Sequence, residues 1–343
     1  MLEIRNHTPL TVSLIPGLDK HGVDYAVVVM KGKFQIVPDT PRLLFSEEPA
    51  PIIQGDVHYG EPDLTSVRYA SDIVPYKVGT DIVVNGHAYA PNGRGYSVDA
   101  VVQVGNQRKT CRVFGDRYWD RSSKAVMTWA PSQPEPFERM PVIYENAYGG
   151  IDKAASDETA PAFDARNPVG KGFVSRAGKP EQGISLPNLE DPQKLIQDWK
   201  DQPPPAGFGF ICRSWQPRIA LAGTYDEQWK KQRMPLLPMD FDERYFNGAH
   251  PDLITQTLLR GGERVMLSNL SPSGQLTFDL PVWSEPITFF IKDKKEVLQP
   301  TLDTVVIEPD SNSVQVTWRA SLPCHKQFLY LDTVVIGKKR PGA

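Results

Sequence analysis

Residues 82–89 read IVVNGHAY: three β-branched residues, Asn85-Gly86, and then His87, Ala88 and Tyr89. Asn-Gly between two such runs is a strong hairpin signal, because a type I′ turn needs positive φ at both central positions and these two residues tolerate it. The flanks extend the pattern. Residues 25–37, YAVVVMKGKFQIV, alternate loosely, Pro38-Asp39 begins a turn, and residues 43–45 return as a second strand. Further strands are expected at 96–104, 109–114 and 124–129. Beyond Gly261-Gly262 they are expected at 264–267, 275–280, 287–291, 304–307, 314–318 and 328–336. Short strands punctuated by Gly and Pro predict a mainly β chain: β-sandwich or open-barrel-like sheets, short helices inserted in the middle, and a strand-rich C-terminal part. The string LDTVVI occurs at both 302–307 and 331–336. Its flanks do not match, so it reads as two similar strands, neighbours in one sheet, rather than a repeat.

Composition sets outer limits. The chain has 343 residues, 40 % hydrophobic and 23 % charged, which is ordinary for a globular protein. Its 32 prolines are nearly twice the usual share of about 5 % and favour fixed loops over long helices. A formal net charge of −3 offers no electrostatic reason to bind nucleic acid or an anionic membrane. The opening MLEIRNHTPLTV lacks a basic and apolar leader, and no window approaches the roughly 18 apolar residues of a membrane span. A cytoplasmic protein is the expectation. Cys111, Cys212 and Cys324 are an odd number without C-x-x-C spacing, and read as buried thiols.

Three regions are expected: a β-rich domain at 1–144, a Gly/Pro-rich excursion at 145–206 packed on it, and at 207–343 short aromatic helices followed by further strands. Within the excursion, Asp191-Pro192 before Leu195, Ile196 and Trp199 predicts a short capped helix. Within 207–260, Thr224 with Glu227 and Asp240 with Glu243 have the spacing of capping boxes. Tyr225 with Trp229, and Phe241 with Tyr245, lie four apart and would pair on helix faces. Pro235, Pro238 and Pro251 keep these helices from fusing.

Signatures of chemistry are sparse. The histidines at 7, 21, 58, 87, 250 and 325 have no spacing that pairs two on one face, so no metal site is expected. No phosphate loop and no G-x-S-x-G occurs, so neither a cofactor nor a catalytic residue is assigned. Asp240 and Asp242 are the carboxylates that a carbohydrate-active enzyme would use, but their place at a helix start explains them more simply. Arg117, Tyr118 and Trp119 offer either a cationic and aromatic contact surface or a covered sheet edge.

Several strings together resemble a known family. DIVPYKVGTD at 72–81, GDRYW at 115–119, ENAYGGID at 145–152, NPVGKGF at 167–173, LPNLE at 186–190 and the run from Trp215 through AGTYDEQW to PMDFD are similar to the bacterial type VI secretion accessory family built on the domain of unknown function numbered 2169. The resemblance runs from about residue 20 to 281, and TVVIEPD and TWR near the end also resemble that family. It implies a non-enzymatic adaptor or chaperone that helps load a type VI effector onto its spike protein. The alternatives are a structural component of the secretion machine and a carbohydrate-active β-protein. Residue type and position nominate Trp215, Arg218, Tyr225, Trp229, Phe241 and Tyr245 for protein binding, with Arg117, Tyr118 and Trp119 as a second group.

Overall fold

In a computed structural model describing residues 2–38, 40–121, 129–157, 160–175 and 181–338, the apolar runs near both ends of the chain meet in one sheet. Asp24–Ile36 pairs antiparallel with Thr11–Leu18 on one side and with Ser313–Pro323 on the other. Thr301–Glu308 follows, then Asp81–Val84 in parallel, while Leu43–Phe45 returns on Asp24–Ile36 as the turn at Pro38 predicts. A second sheet orders Leu189–Glu190, Gln107–Phe114, Ser97–Val104, Arg264–Ser268 and Gln275–Asp279. Its strands bury every other residue, the mark of one wet and one dry face. Glu3–Asn6, Leu331–Ile336, Ile287–Ile291 and Lys294–Leu298 form a third. One apolar core draws on all three sheets through residues such as Met30, Trp318, Val102, Phe278 and Phe289. The molecule is mainly β, with several open sheets and few helices. No helix among the described residues is long and apolar enough to cross a membrane.

Several local expectations fail for identifiable reasons. Residues 81–89 do not form a hairpin: Asp81–Val84 joins the main sheet, whereas His87–Tyr89 pairs with Arg139–Pro141. Neither Asn85 nor Gly86 takes positive φ, so no type I′ turn exists, and the Asn85 amide donates to the Ile307 carbonyl instead. The two LDTVVI strands lie in different sheets, the first buried nearly throughout and the second buried only in part, with Asp332 exposed. No helix forms at 191–199. Asp191 accepts the Gln193 amide, Glu190 the Ile196 amide, and Asp201 the amides of Gln197 and Asp198, so side chains replace the helical ladder. Residues 328–330 are a 3₁₀ turn leading into Leu331–Ile336. Asp39 and most of the strand expected at 124–129 lie outside the described residues. Of the thiols, Cys111 and Cys324 are buried, but Cys212 is only half-buried, 3.3 Å from the Ser214 hydroxyl.

The main sheet has a second face. Ala26, Val28, Met30, Val314, Val316, Trp318 and Ala320 point to the apolar core, so by alternation Lys31, Thr317, Arg319 and Ser321 point the other way. Residues 72–81, DIVPYKVGTD, lie over these polar side chains. Lys31 Nζ meets Asp72 at 3.0 Å, Lys77 Nζ meets Asp81 at 2.8 Å and Thr304 Oγ1 at 2.6 Å, and Arg319 pairs with Asp303. Arg319 also donates to the carbonyls of Val74 and Asp72, at 2.7 and 2.9 Å. All six charged side chains are buried. Burial alone would raise the Asp303 carboxyl, but Arg319, Lys77 and the hydrogen bonds outweigh it and hold the group below the usual carboxylate range.

Removing one partner of such a pair leaves the other charge buried and uncompensated. Arg319→Leu is expected to cost about 3 to 5 kcal/mol in chemical denaturation, far more than Arg264→Leu, whose pairing with Asp279 is exposed. Equal small losses from the two would show that the buried layer contributes no more than the surface pair.

Candidate functional site

The aromatic segment folds back on itself as a small surface module. Its one α-helix, Glu227–Gln232, is capped by Asp226, whose carboxylate accepts the Trp229 amide at 2.7 Å. Thr224 is therefore not the cap: its amide and hydroxyl both donate to Asp240, tying 224 to 240. The second expected box fails likewise, because Asp242 caps the 3₁₀ turn Glu243–Phe246 by accepting the Arg244 amide. Both aromatic pairs are present: Tyr225 meets Trp229 with ring centroids 4.7 Å apart, and Phe241 meets Tyr245 at 5.6 Å, each edge to face. Trp229 Nε1 donates to the Leu236 carbonyl at 2.8 Å, Arg233 Nε donates to the Leu237 carbonyl at 3.1 Å, and Lys20 Nζ donates to the Phe241 carbonyl at 2.9 Å.

The nominated residues separate by burial. Trp215, Phe241 and Arg218 are inside. Trp215 packs edge to face on Tyr144 at 5.8 Å, and the Arg218 guanidinium donates to the carbonyls of Ile211 and Tyr245. Arg117 and Trp119 are buried too, Arg117 paired with Glu190 and Trp119 in a small satellite core with Tyr148, Leu186 and Ile196, so only Tyr118 of that trio is exposed. Tyr225 is half exposed at 52 %, and the neighbouring Met234 and Met239 are 62 % and 55 % exposed. Trp229 and Tyr245 are half-buried.

Sequence reasoning missed a cleft of about 630 Å³ beside this module. Its apolar walls come from Pro204, Pro205, Ala206, Ile211, Pro217 and Pro251, of which the four prolines fix the backbone and bring no amide donor. Its polar groups are far apart in sequence: Lys109 on the second sheet, Tyr144, and His250 and Asp252 in one turn. Lys109 Nζ lies 2.8 Å from Asp252 Oδ2 and 3.3 Å from His250 Nε2. The His250 ring also caps its own turn by accepting the Asp252 amide at 3.2 Å. Burial, and then the Lys109 charge, push the imidazole down to about 4, so it is neutral at physiological pH. Tyr144 lines the same cleft, and its buried hydroxyl has no hydrogen-bond partner. The signal in the sequence was faint, since only the 250–252 pair is local. Among the described residues no three His, Cys, Asp or Glu side chains gather to hold a metal ion.

Residues 21–319 match a family described as uncharacterized protein conserved in bacteria, DUF2169. The chain belongs to that family. No curated protein and no solved structure matched it. In this DUF2169 protein the strings that carry the resemblance are structural ties. DIVPYKVGTD supplies three members of the buried ionic layer. GDRYW joins LPNLE through Arg117–Glu190 and through Asn188, whose Nδ2 donates to the Phe114 carbonyl and to Asp116. ENAYGG joins NPVGKG through Asn167, whose Nδ2 donates to the carbonyls of Tyr144 and Tyr148. Gly149, at φ 144°, sits where a Cβ would fall 2.2 Å from the Asn167 carbonyl oxygen.

The depressed His250 has a consequence for pH. Below its ordinary value near 6.5 the unfolded chain takes up a proton that the folded site refuses until about 4, so stability falls with acidification across that window. The Asp252 carboxyl, raised by burial but lowered more by its Lys109 bond, loses its contribution only below the usual carboxylate range. Denaturation between pH 7 and 4 is expected to show a loss on the order of 2 to 3 kcal/mol that His250→Gln flattens. An unchanged slope in the variant would assign the loss to other groups.

Proposed function

We propose that this protein is a non-enzymatic adaptor that loads a type VI secretion effector onto its spike protein, with the aromatic module as the contact face. The observation that supports the reading is the combination of exposure and restraint at 224–242. Tyr225, Met234 and Met239 present large side chains to solvent, while the helix cap, the Thr224–Asp240 tie and the Arg233 and Lys20 bonds hold the backbone under them. A pre-ordered surface loses little entropy on docking, and aromatic and methionine side chains are enriched at protein interfaces. Trp229 stands behind the face as its pillar. The carbohydrate-active alternative has less support, because it needs one carboxyl protonated. The bonds from Thr224 hold Asp240 below the usual carboxylate range, and the Arg244 bond does the same for Asp242.

The adaptor reading is tested by co-purification with the effector and spike encoded by neighbouring genes. Tyr225→Ala combined with Met234→Ser should leave the melting temperature unchanged and weaken capture by about ten-fold or more. Trp229→Ala should lower both, since it also removes the Leu236 bond and the edge-to-face contact with Tyr225. Undiminished capture by the double variant would take the module out of the interface. Failure of the wild-type protein to retain either partner would overturn the adaptor reading itself.

A further inference from the structure

The third sheet ends on an open edge. Glu3–Asn6 is its terminal strand, paired on one side only, parallel to Leu331–Ile336, and all four of its residues are exposed. Successive residues of a strand aim their amides and carbonyls to opposite sides. The His7 amide donates to the Ile336 carbonyl, so in this unbroken register Glu3 and Arg5 bond inward, while Leu2, Ile4 and Asn6 aim their main-chain groups outward. Side chains alternate as well. Ile4 stands opposite Val334, which is fully buried, so Leu2 and Ile4 lean toward the core face yet remain 42 % and 44 % exposed. Glu3 and Arg5 stand on the other face, 2.6 Å apart. The far edge of the same sheet differs: Lys294–Leu298 begins with two consecutive exposed lysines, the usual guard against strand addition.

We propose that Glu3–Asn6 pairs antiparallel with the same strand of a second copy of this chain about a two-fold axis, joining the two third sheets into one. Such pairing satisfies the outward amides and carbonyls only where Leu2, Ile4 and Asn6 stand opposite one another. Among the registers that overlap most of the strand, one sets Leu2 opposite Ile4 and therefore Glu3 opposite Glu3. Another sets Ile4 opposite Asn6 and therefore Arg5 opposite Arg5. The third sets Ile4 opposite Ile4, and therefore Glu3 of each copy opposite Arg5 of the other. Like charges directly opposite destabilise a strand pair and unlike charges support it, so the charge pattern selects the third register. There Glu3 and Arg5 of both copies form a ring of alternating sign on one face, and the half-covered Ile4 side chains meet on the other. A contact built on one short strand is small, so the association is isologous and weak. A foreign extended peptide would take the same main-chain bonds without that match.

The test is sedimentation velocity on the full chain at low salt over roughly 1 to 500 µM, where a dimer with a dissociation constant of about 10 to 300 µM is expected, weakening as added salt screens the charges. Glu3→Arg and Arg5→Glu each set like charges opposite and should each weaken the dimer about ten-fold. Making both exchanges in one chain restores unlike charges across the axis, and an equimolar mixture of the two single variants restores them between different chains. Both should recover the dimer. Because these side chains are exposed, the melting temperature of the dilute protein should not move in any variant. A wild-type chain that stays monomeric throughout, a dimer indifferent to the single reversals, or failure of either the double exchange or the mixture to recover it would overturn the proposal. These outcomes do not depend on the adaptor reading, whose partners are absent from the experiment.

Discussion

Three carboxylates and three cations share one dry layer on the far side of the main sheet, and the arrangement of the chain outside the apolar core follows from how they are paired. Asp72, Asp81 and Asp303 face Lys31, Lys77 and Arg319, so the layer is formally neutral and none of its members reaches bulk water. Segment 72–81 cannot slide on the sheet without stranding a charge, which is far costlier than losing an apolar contact. Asp81 then extends the constraint outward. Its two oxygens accept the Asn247 side chain and the amides of Gly248 and Ala249, so the turn that ends the aromatic module is anchored to the same layer. Arg218 tightens it by holding the Tyr245 carbonyl. The rigidity of the exposed face is thus an indirect product of buried electrostatics.

Such a layer contributes less to net stability than its contacts suggest, since the desolvation of six charges offsets most of the attraction between them. Its larger effect is on uniqueness. A sheet face lined with valine and isoleucine would accept many coverings, whereas one bearing Lys31, Thr304, Thr317 and Arg319 accepts only a segment that returns matching carboxylates and carbonyls at fixed positions.

This division explains what was legible in the sequence. Strand existence follows from local alternation and β-branched runs, so 97–104, 107–114, 264–268, 275–279 and 287–291 were readable to within a residue or two. The identity of strand partners was not. At 82–89 the Asn-Gly dipeptide signalled a tight turn, but Ile307 and Arg68, hundreds and tens of residues away, supply Asn85 with its partners, and the chain passes straight on. The capping assignments failed for a related reason. Thr224 and Asp240 satisfied the spacing rule with their local neighbours, yet they bond to each other across the module, leaving Asp226 and Asp242 to cap. The LDTVVI strings are identical by eye, but Asp303 meets Arg319 in the dry layer while Asp332 is exposed. Context sets the role of the same residue.

The candidate sites divide along the same line. An aromatic pair four residues apart is a local fact, so Tyr225–Trp229 and Phe241–Tyr245 were found where the spacing put them. Whether each ring faces solvent or core depends on the far side of the fold, and that separates Tyr225 from Trp215 and Phe241. The cleft is the opposite case. Lys109, Lys194 and His250 are unremarkable one by one, and only the crossing of the second sheet, the segment around 191–205 and the turn at 250–252 brings them to one apolar wall. Prolines explain why that wall persists: Pro204, Pro205, Pro217 and Pro251 hold their backbone angles without needing hydrogen bonds from the space they enclose. A chain unusually rich in proline can therefore keep an apolar cleft open beside a buried lysine, where a more flexible lining would close over it.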